Sequence, residues 1–137
     1  MTPEEIELVQ KTWASVSRNA DAVAELFYQR LFQLDPKLRS LFTSNMIEQG
    51  RKLTQMISVA VNNLNQLDEI LDAVKDLGVR HVSYNVSESD YDTVGEALLW
   101  TLEKGLGSDF TPEAKAAWTE TYSTLASVMK DAAAAVV

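Results

Sequence analysis

His81 is the only histidine among 137 residues, and the chain has no cysteine. Any transition metal bound through a soft or borderline ligand is therefore nearly forced onto this one imidazole. A bare zinc ion is not held that way, because zinc sites take three or four protein ligands. A single imidazole does suffice for an iron whose other ligands arrive with a porphyrin. Beside that reading stands a plainer one, a histidine satisfied inside the core.

The stretch 67–82 must position this imidazole. Leu67, Ile70, Leu71, Val74, Leu77 and Gly78 recur at three and four residues, which predicts one amphipathic helix. His81 continues the stripe, so its ring projects inward. The remaining elements follow from similar signals. Thr2, Pro3 and Glu5 supply an N-cap, a proline at the first helical position and a capping box. Ile6, Val9, Trp13 and Val16 then form an inward stripe. Asn19 or Asp21 caps a second helix carrying Val23, Leu26, Phe27, Tyr28, Leu31 and Phe32, and Asp35-Pro36 ends it. Residues 37–42 make a short helix that lands Phe42 on the core. After a polar corner of Thr43, Ser44 and Asn45, a third long helix runs to about Asn63. Its expected inner side is Met46, Leu53, Met56, Ile57, Ala60 and Leu64, with Gln49 one turn before Leu53 at the solvent end of that face. The His81 helix is followed by a loop over 83–86 and by a fifth long helix capped by residues 87–90. That helix carries Tyr91, Val94, Leu98, Thr101 and Leu102, and Gly105 and Gly107 stop it. Thr111 and Pro112 start a sixth, lined by Trp118, Tyr122, Leu125 and Met129 and running into an alanine tail at 132–135. Alternating strand runs and hairpin dipeptides are missing. The expectation is an all-α chain of six long helices and one short one.

Composition narrows the function. A formal charge of −8 argues against nucleic-acid and anionic-membrane partners. No signal-type N-terminus is present, and no apolar run reaches about 18 residues, so neither membrane insertion nor export is expected. One soluble, cytoplasmic domain over 1–137 is the expectation. A Ser-His-Asp or Cys-His site would need His81 as base, and a histidine in an apolar seam is poorly placed for substrate. There is no Walker loop, and no Glu-x-x-His pair for a di-iron bundle. No catalytic residue is assigned.

One register remains. The aromatic-rich run Leu26, Phe27, Tyr28, Leu31, Phe32 is followed by Pro36, by Phe42 at a corner, by Gln49 and Leu53 opening a helix, and by the inward His81 near a helix end. In this combination the chain resembles the globin family, specifically single-domain bacterial haemoglobins related to the globin part of flavohaemoglobins, over about residues 4–130. The resemblance implies the globin fold around a haem pocket, with haem b as cofactor and His81 as the iron ligand. It implies that Phe42 stacks on the porphyrin and Leu77 lies against its proximal face. It places Tyr28 and Gln49 as a distal polar pair and has Leu53 close the distal pocket. Tyr91 would help to hydrogen-bond the proximal histidine. Arg51, Lys52 and Arg80 are either solvated charges or partners for haem propionates.

Two departures shape the expected function. No second histidine exists to stand at the distal position, where myoglobins and neuroglobins carry one, so one chain cannot form a bis-histidine haem. The last-helix glutamate of flavohaemoglobin-like members is matched by Ala133, which implies a less electron-donating imidazole. The implied function is binding of dioxygen, or another diatomic gas, at a five-coordinate iron for storage or scavenging. The alternative is a nitric oxide dioxygenase that detoxifies nitric oxide with an external reductase. A globin without haem, acting as a sensor, is the third class.

Overall fold

The computed structural model describes residues 1–42, 45–84 and 86–136. Thr43 and Ser44 of the expected corner, and Asn85 of the expected loop, lie outside the described residues. Six α-helices form: α1 (Pro3–Val16), α2 (Ala20–Leu34), α3 (Met46–Asn62), α4 (Leu67–Ser83), α5 (Glu88–Leu106) and α6 (Pro112–Ala135). The short helix is a 3-10 helix at Pro36–Leu41, and single 3-10 turns join α1 to α2, α3 to α4 and α5 to α6. Among the described residues there is no strand.

The helix starts follow their cap chemistry. Thr2 Oγ1 accepts from the Glu5 amide while the Glu5 carboxylate accepts from the Thr2 amide, a closed capping box. Asn45 Oδ1 accepts from the amides of Ile47 and Glu48, Ser87 and Asp90 close a second box, and Thr111 Oγ1 accepts from the Ala114 amide. Neither candidate cap of α2 is used in that way. Asn19 occupies the N-cap position without a side-chain bond, because a 3-10 turn carries the chain almost directly from α1 into α2. Gly107 alone stops α5, at φ 56, where a residue with a Cβ would be strained. Gly105, expected to share that role, lies within the last turn of the helix.

The core lies where α1, α2, α5 and α6 meet. Trp13 and Trp118 sit 6.0 Å apart in a tilted pair, and each indole N–H is satisfied: Trp118 Nε1 donates to Thr12 Oγ1 and Trp13 Nε1 to Ser58 Oγ, both at 2.8 Å. The second bond ties α1 to α3, as does the 3.0 Å bond from Gln10 Nε2 to the Val61 carbonyl. α3 packs on α2 and α1, and α4 packs chiefly on α6. Among the described residues α3 and α4 make no substantial contact with each other. The expected inner stripe of α3 is met by Met46, Leu53 and Ile57, which pack against the core, and by Leu64, which is buried in it, while Met56 is exposed. Gly50, Thr54 and Val61 are the buried residues of the helix, Gly50 where it closely approaches α2.

Candidate functional site

Two clusters hold the residues singled out in the sequence, one on α2 and the start of α3, the other at the end of α4. The first is built on α2. Tyr28 is 7 % exposed, and its ring meets Phe27 edge-on at 5.1 Å, stacks on Phe32 at 5.9 Å and meets Phe42 edge-on at 5.2 Å. Phe42 also packs against Phe32 at 5.6 Å. Arg39 fixes this corner. Its Nη1 donates to the Phe42 carbonyl at 3.2 Å and its guanidinium lies 5.6 Å from the Phe32 ring centre.

Gln49 joins the same cluster. It is half-buried, and its side chain lies near enough the Tyr28 hydroxyl to act on the phenol's ionisation. A close helix crossing makes the meeting possible: a Cβ on Gly50 would stand 2.8 Å from Ala24 Cβ. Ala24 lies one turn before Tyr28 on α2, and Gly50 is Gln49's neighbour on α3, so the crossing brings the two polar groups together. Burial pushes the Tyr28 phenol up from its ordinary pKa, while the Gln49 side chain partly opposes that. The phenol is thus neutral at physiological pH and available as a donor. Leu53, one turn beyond Gln49, is half-buried against the core.

The second cluster surrounds His81, which is half-buried near the end of α4. His81 Nδ1 lies 2.6 Å from the Leu77 carbonyl oxygen. A carbonyl only accepts, so Nδ1 carries the proton and Nε2 keeps its lone pair free for a metal. The ring meets Tyr84 edge-on at 5.5 Å and lies 6.3 Å from Tyr91, tilted by 37°. The expected hydrogen bond from Tyr91 to the histidine is not formed. The Tyr91 hydroxyl is buried without a partner, because the carbonyl one turn back in α4 already takes the Nδ1 proton. Burial raises the Tyr91 pKa as well.

α4 is itself held by a close approach. A Cβ on Gly78 would lie 2.3 Å from the Met129 carbonyl oxygen and 2.7 Å from Met129 Cα. Only a glycine lets the His81 helix come this near the backbone of α6. Ala133 of α6 is half-buried, and the charged group that reaches Tyr91 is a cation: Lys130 Nζ stands 5.6 Å from the Tyr91 ring centre. Arg51 pairs with Asp21 at 3.6 Å with both side chains largely in water, and Lys52 and Arg80 are exposed.

The structure therefore brings Tyr28, Phe42 and Gln49 together, packs Leu53 against the core, and groups Leu77, His81 and Tyr91 in a second cluster. Sequence reading missed Arg39 and Lys130, whose partners lie on other turns or other helices. Among the described residues no group of three His, Cys, Asp or Glu side chains could hold a bare metal ion, and no helix is long and apolar enough to cross a membrane.

Comparison with known proteins agrees with this architecture. The globin family model matches residues 25–129. Neuroglobin of Dissostichus mawsoni is 30% identical over 143 aligned positions, covering 94% of this chain and 90% of the neuroglobin. Neuroglobin of Chaenocephalus aceratus is 29% identical with the same coverage. Among solved structures, an engineered carbene transferase, named as a candidate nitric oxide dioxygenase from Rhodothermus marinus, superposes with a TM-score of 0.89. It is 24% identical, over 99% of this chain and 95% of that one, a likeness of fold.

Proposed function

The chain belongs to the globin family, and we propose that as a single domain over 1–137 it holds a haem between α3 and α4 through His81 and binds a diatomic gas there, dioxygen first. The observation that carries the proposal is the state of the imidazole. With its proton bonded to the Leu77 carbonyl at 2.6 Å, His81 presents a fixed lone pair on Nε2. When bound, haem would supply an iron for His81 to hold and for the gas to bind.

The rest of the reading concerns what the side chains do. Because His81 is the only histidine, no second imidazole of the chain competes for the gas position. Phe42, Leu53 and Leu77 offer half-buried apolar surface to a flat apolar ligand and keep water from its faces. Tyr28 and Gln49, close enough to act on each other, provide two hydrogen-bond donors for the distal side. Each donor stabilises a partly negative diatomic ligand by about 0.5–1.5 kcal/mol, and so slows its release roughly two- to tenfold. Carbon monoxide, which is less polar, gains less. The Tyr28 ring is wedged among Phe27, Phe32 and Phe42, so its hydroxyl is aimed without further loss of side-chain freedom.

Absorption spectra of the ferric and ferrous haem-loaded protein test the first half of this reading. A Soret band that survives in the wild type and is weakened by His81→Ala is expected; a protein that refuses haem sinks the proposal. Tyr28→Phe tests the second half. Dioxygen should leave roughly two to ten times faster, with carbon monoxide release changed less, and an unchanged dioxygen off-rate removes Tyr28 from the role. Sustained consumption of nitric oxide with an added reductase would assign the same site to detoxification rather than storage.

A further inference from the structure

We propose that Lys130 is a positioning residue for the proximal side of the haem site, its ammonium acting through Tyr91 to hold the bound iron in the ferrous state. The inference rests on the reading of His81 as the iron ligand. Lys130 Nζ stands 5.6 Å from the centre of the Tyr91 ring, and that ring lies 6.3 Å from the His81 imidazole. The Tyr91 ring is 7 % exposed, so little water lies within this stack to screen the charge. The Lys130 side chain is itself only 28% exposed. The carboxylate that pairs with it, Asp92, is 4.0 Å away and 84% exposed, so solvent takes much of that negative charge while the ammonium faces the ring.

Tyr91 is held in place from the α6 side. The Tyr122 hydroxyl donates to the Tyr91 carbonyl at 2.5 Å, which anchors the start of α5 on the helix that carries Lys130. The hydroxyl of Tyr91 stays buried without a partner, so no acceptor neutralises the field that crosses the ring. On the other side of His81, Nδ1 is bonded to a neutral carbonyl and not to a carboxylate. No described hydrogen bond or ion pair thus brings a negative charge onto the imidazole, and a positive one approaches it through an aromatic ring. A nearby cation favours whichever oxidation state carries less positive charge. Adding one electron to the ferric group removes one unit of charge, so Lys130 raises the midpoint of that one-electron couple and protects the gas-binding form.

The test is a charge series in the haem-loaded full chain: wild type, Lys130→Arg, Lys130→Met and Lys130→Glu. The couple is poised electrochemically, and the iron–histidine stretching frequency of the ferrous form is read by resonance Raman. The midpoint should fall in the order Arg, Met, Glu, with Arg close to wild type, and the stretching frequency should rise from Met to Glu. Repeating Lys130→Glu on a Tyr91→Leu background should shrink the shift, since the ring carries the field. A purely structural role would make Met and Glu lose haem alike without ordering the potentials by charge. Equal midpoints across a series that binds haem overturn the role of Lys130 and leave the haem site standing. A wild type that takes up no haem overturns both.

Discussion

Replacing Gly78 by alanine puts a methyl group where the structure has Met129 backbone. The new Cβ would lie 2.3 Å from the carbonyl oxygen, 2.7 Å from Cα and 2.8 Å from the carbonyl carbon of Met129. A helix backbone cannot swing aside as a flexible side chain can, so α4 must retreat from α6 by roughly 1 Å to regain ordinary contact. Such overpacking costs about 1–3 kcal/mol, against which alanine returns about 1 kcal/mol of helix propensity. Gly105→Ala supplies the internal control. It is an exposed glycine within α5, and its Cβ would meet nothing nearer than Val16 Cγ2 at 3.5 Å. It should stabilise the protein by about 1 kcal/mol. The difference between the two alanines therefore isolates the clash, about 1–3 kcal/mol, and urea unfolding of both without haem measures it. A second readout is functional. His81 lies three residues beyond Gly78 on the same helix, so a retreat of that size displaces the imidazole. If about 1.4 kcal/mol of the cost falls on the haem-bound form, haem should pass to an excess of a scavenging apoglobin about tenfold faster. Should Gly78→Ala and Gly105→Ala shift stability equally, and haem transfer stay unchanged, the crossing is not what sets the imidazole's position.

Thr12→Val should destabilise the fold by about 1–3 kcal/mol, because the valine matches the shape while leaving Trp118 Nε1, in a residue 1% exposed, with no acceptor. Urea unfolding followed by tryptophan fluorescence measures it, and a loss under about 0.5 kcal/mol would mean that the bond has little net value. Alkaline pH should weaken the fold through its buried tyrosines. Burial, joined by the nearby Tyr91 and Asp92, pushes the Tyr122 phenol well above its ordinary value of 10.0, and burial raises Tyr28 too. The folded state holds these protons longer than the unfolded one, so their contribution is complete below pH 10 and is lost as pH climbs beyond it. The slope should approach about 1.36 kcal/mol per pH unit for each such tyrosine. Tyr122→Phe should flatten the fall in urea stability between about pH 10 and 11.5; a wild type whose stability is level over that range contradicts the burial argument.

What the sequence disclosed divides by distance along the chain. The stripe that turns His81 inward is a relation among residues three and four apart, and helix period alone sets it. The bond from Nδ1 to the Leu77 carbonyl has the same origin, since every helical residue has that oxygen one turn behind it. This local bond also explains why the expected contact from Tyr91 does not form: a partner supplied by the histidine's own helix needs no tertiary fit, and it claims the proton first. The aromatic corner was readable as a set of residue types, and the family register placed Gln49 with Tyr28. Neither says that a glycine against Ala24 is what closes the space between α2 and α3. Gly78 was legible as a buried position within a stripe, but its partner lies 51 residues away in a helix whose own inner face was read from larger side chains.

The charged residues were the least legible. Arg39 and Lys130 occupy positions that any helix gives to solvated charge, and their spacing carries no sign of the rings they cover. Lys130 meets Tyr91 because α6 passes the start of α5 at that point, a consequence of where Gly107 ends one helix and Thr111 starts the next. The sign of the charge behind His81 is thus set by which turn of α6 passes Tyr91. A family register, which assigns roles residue by residue, leaves that sign unread.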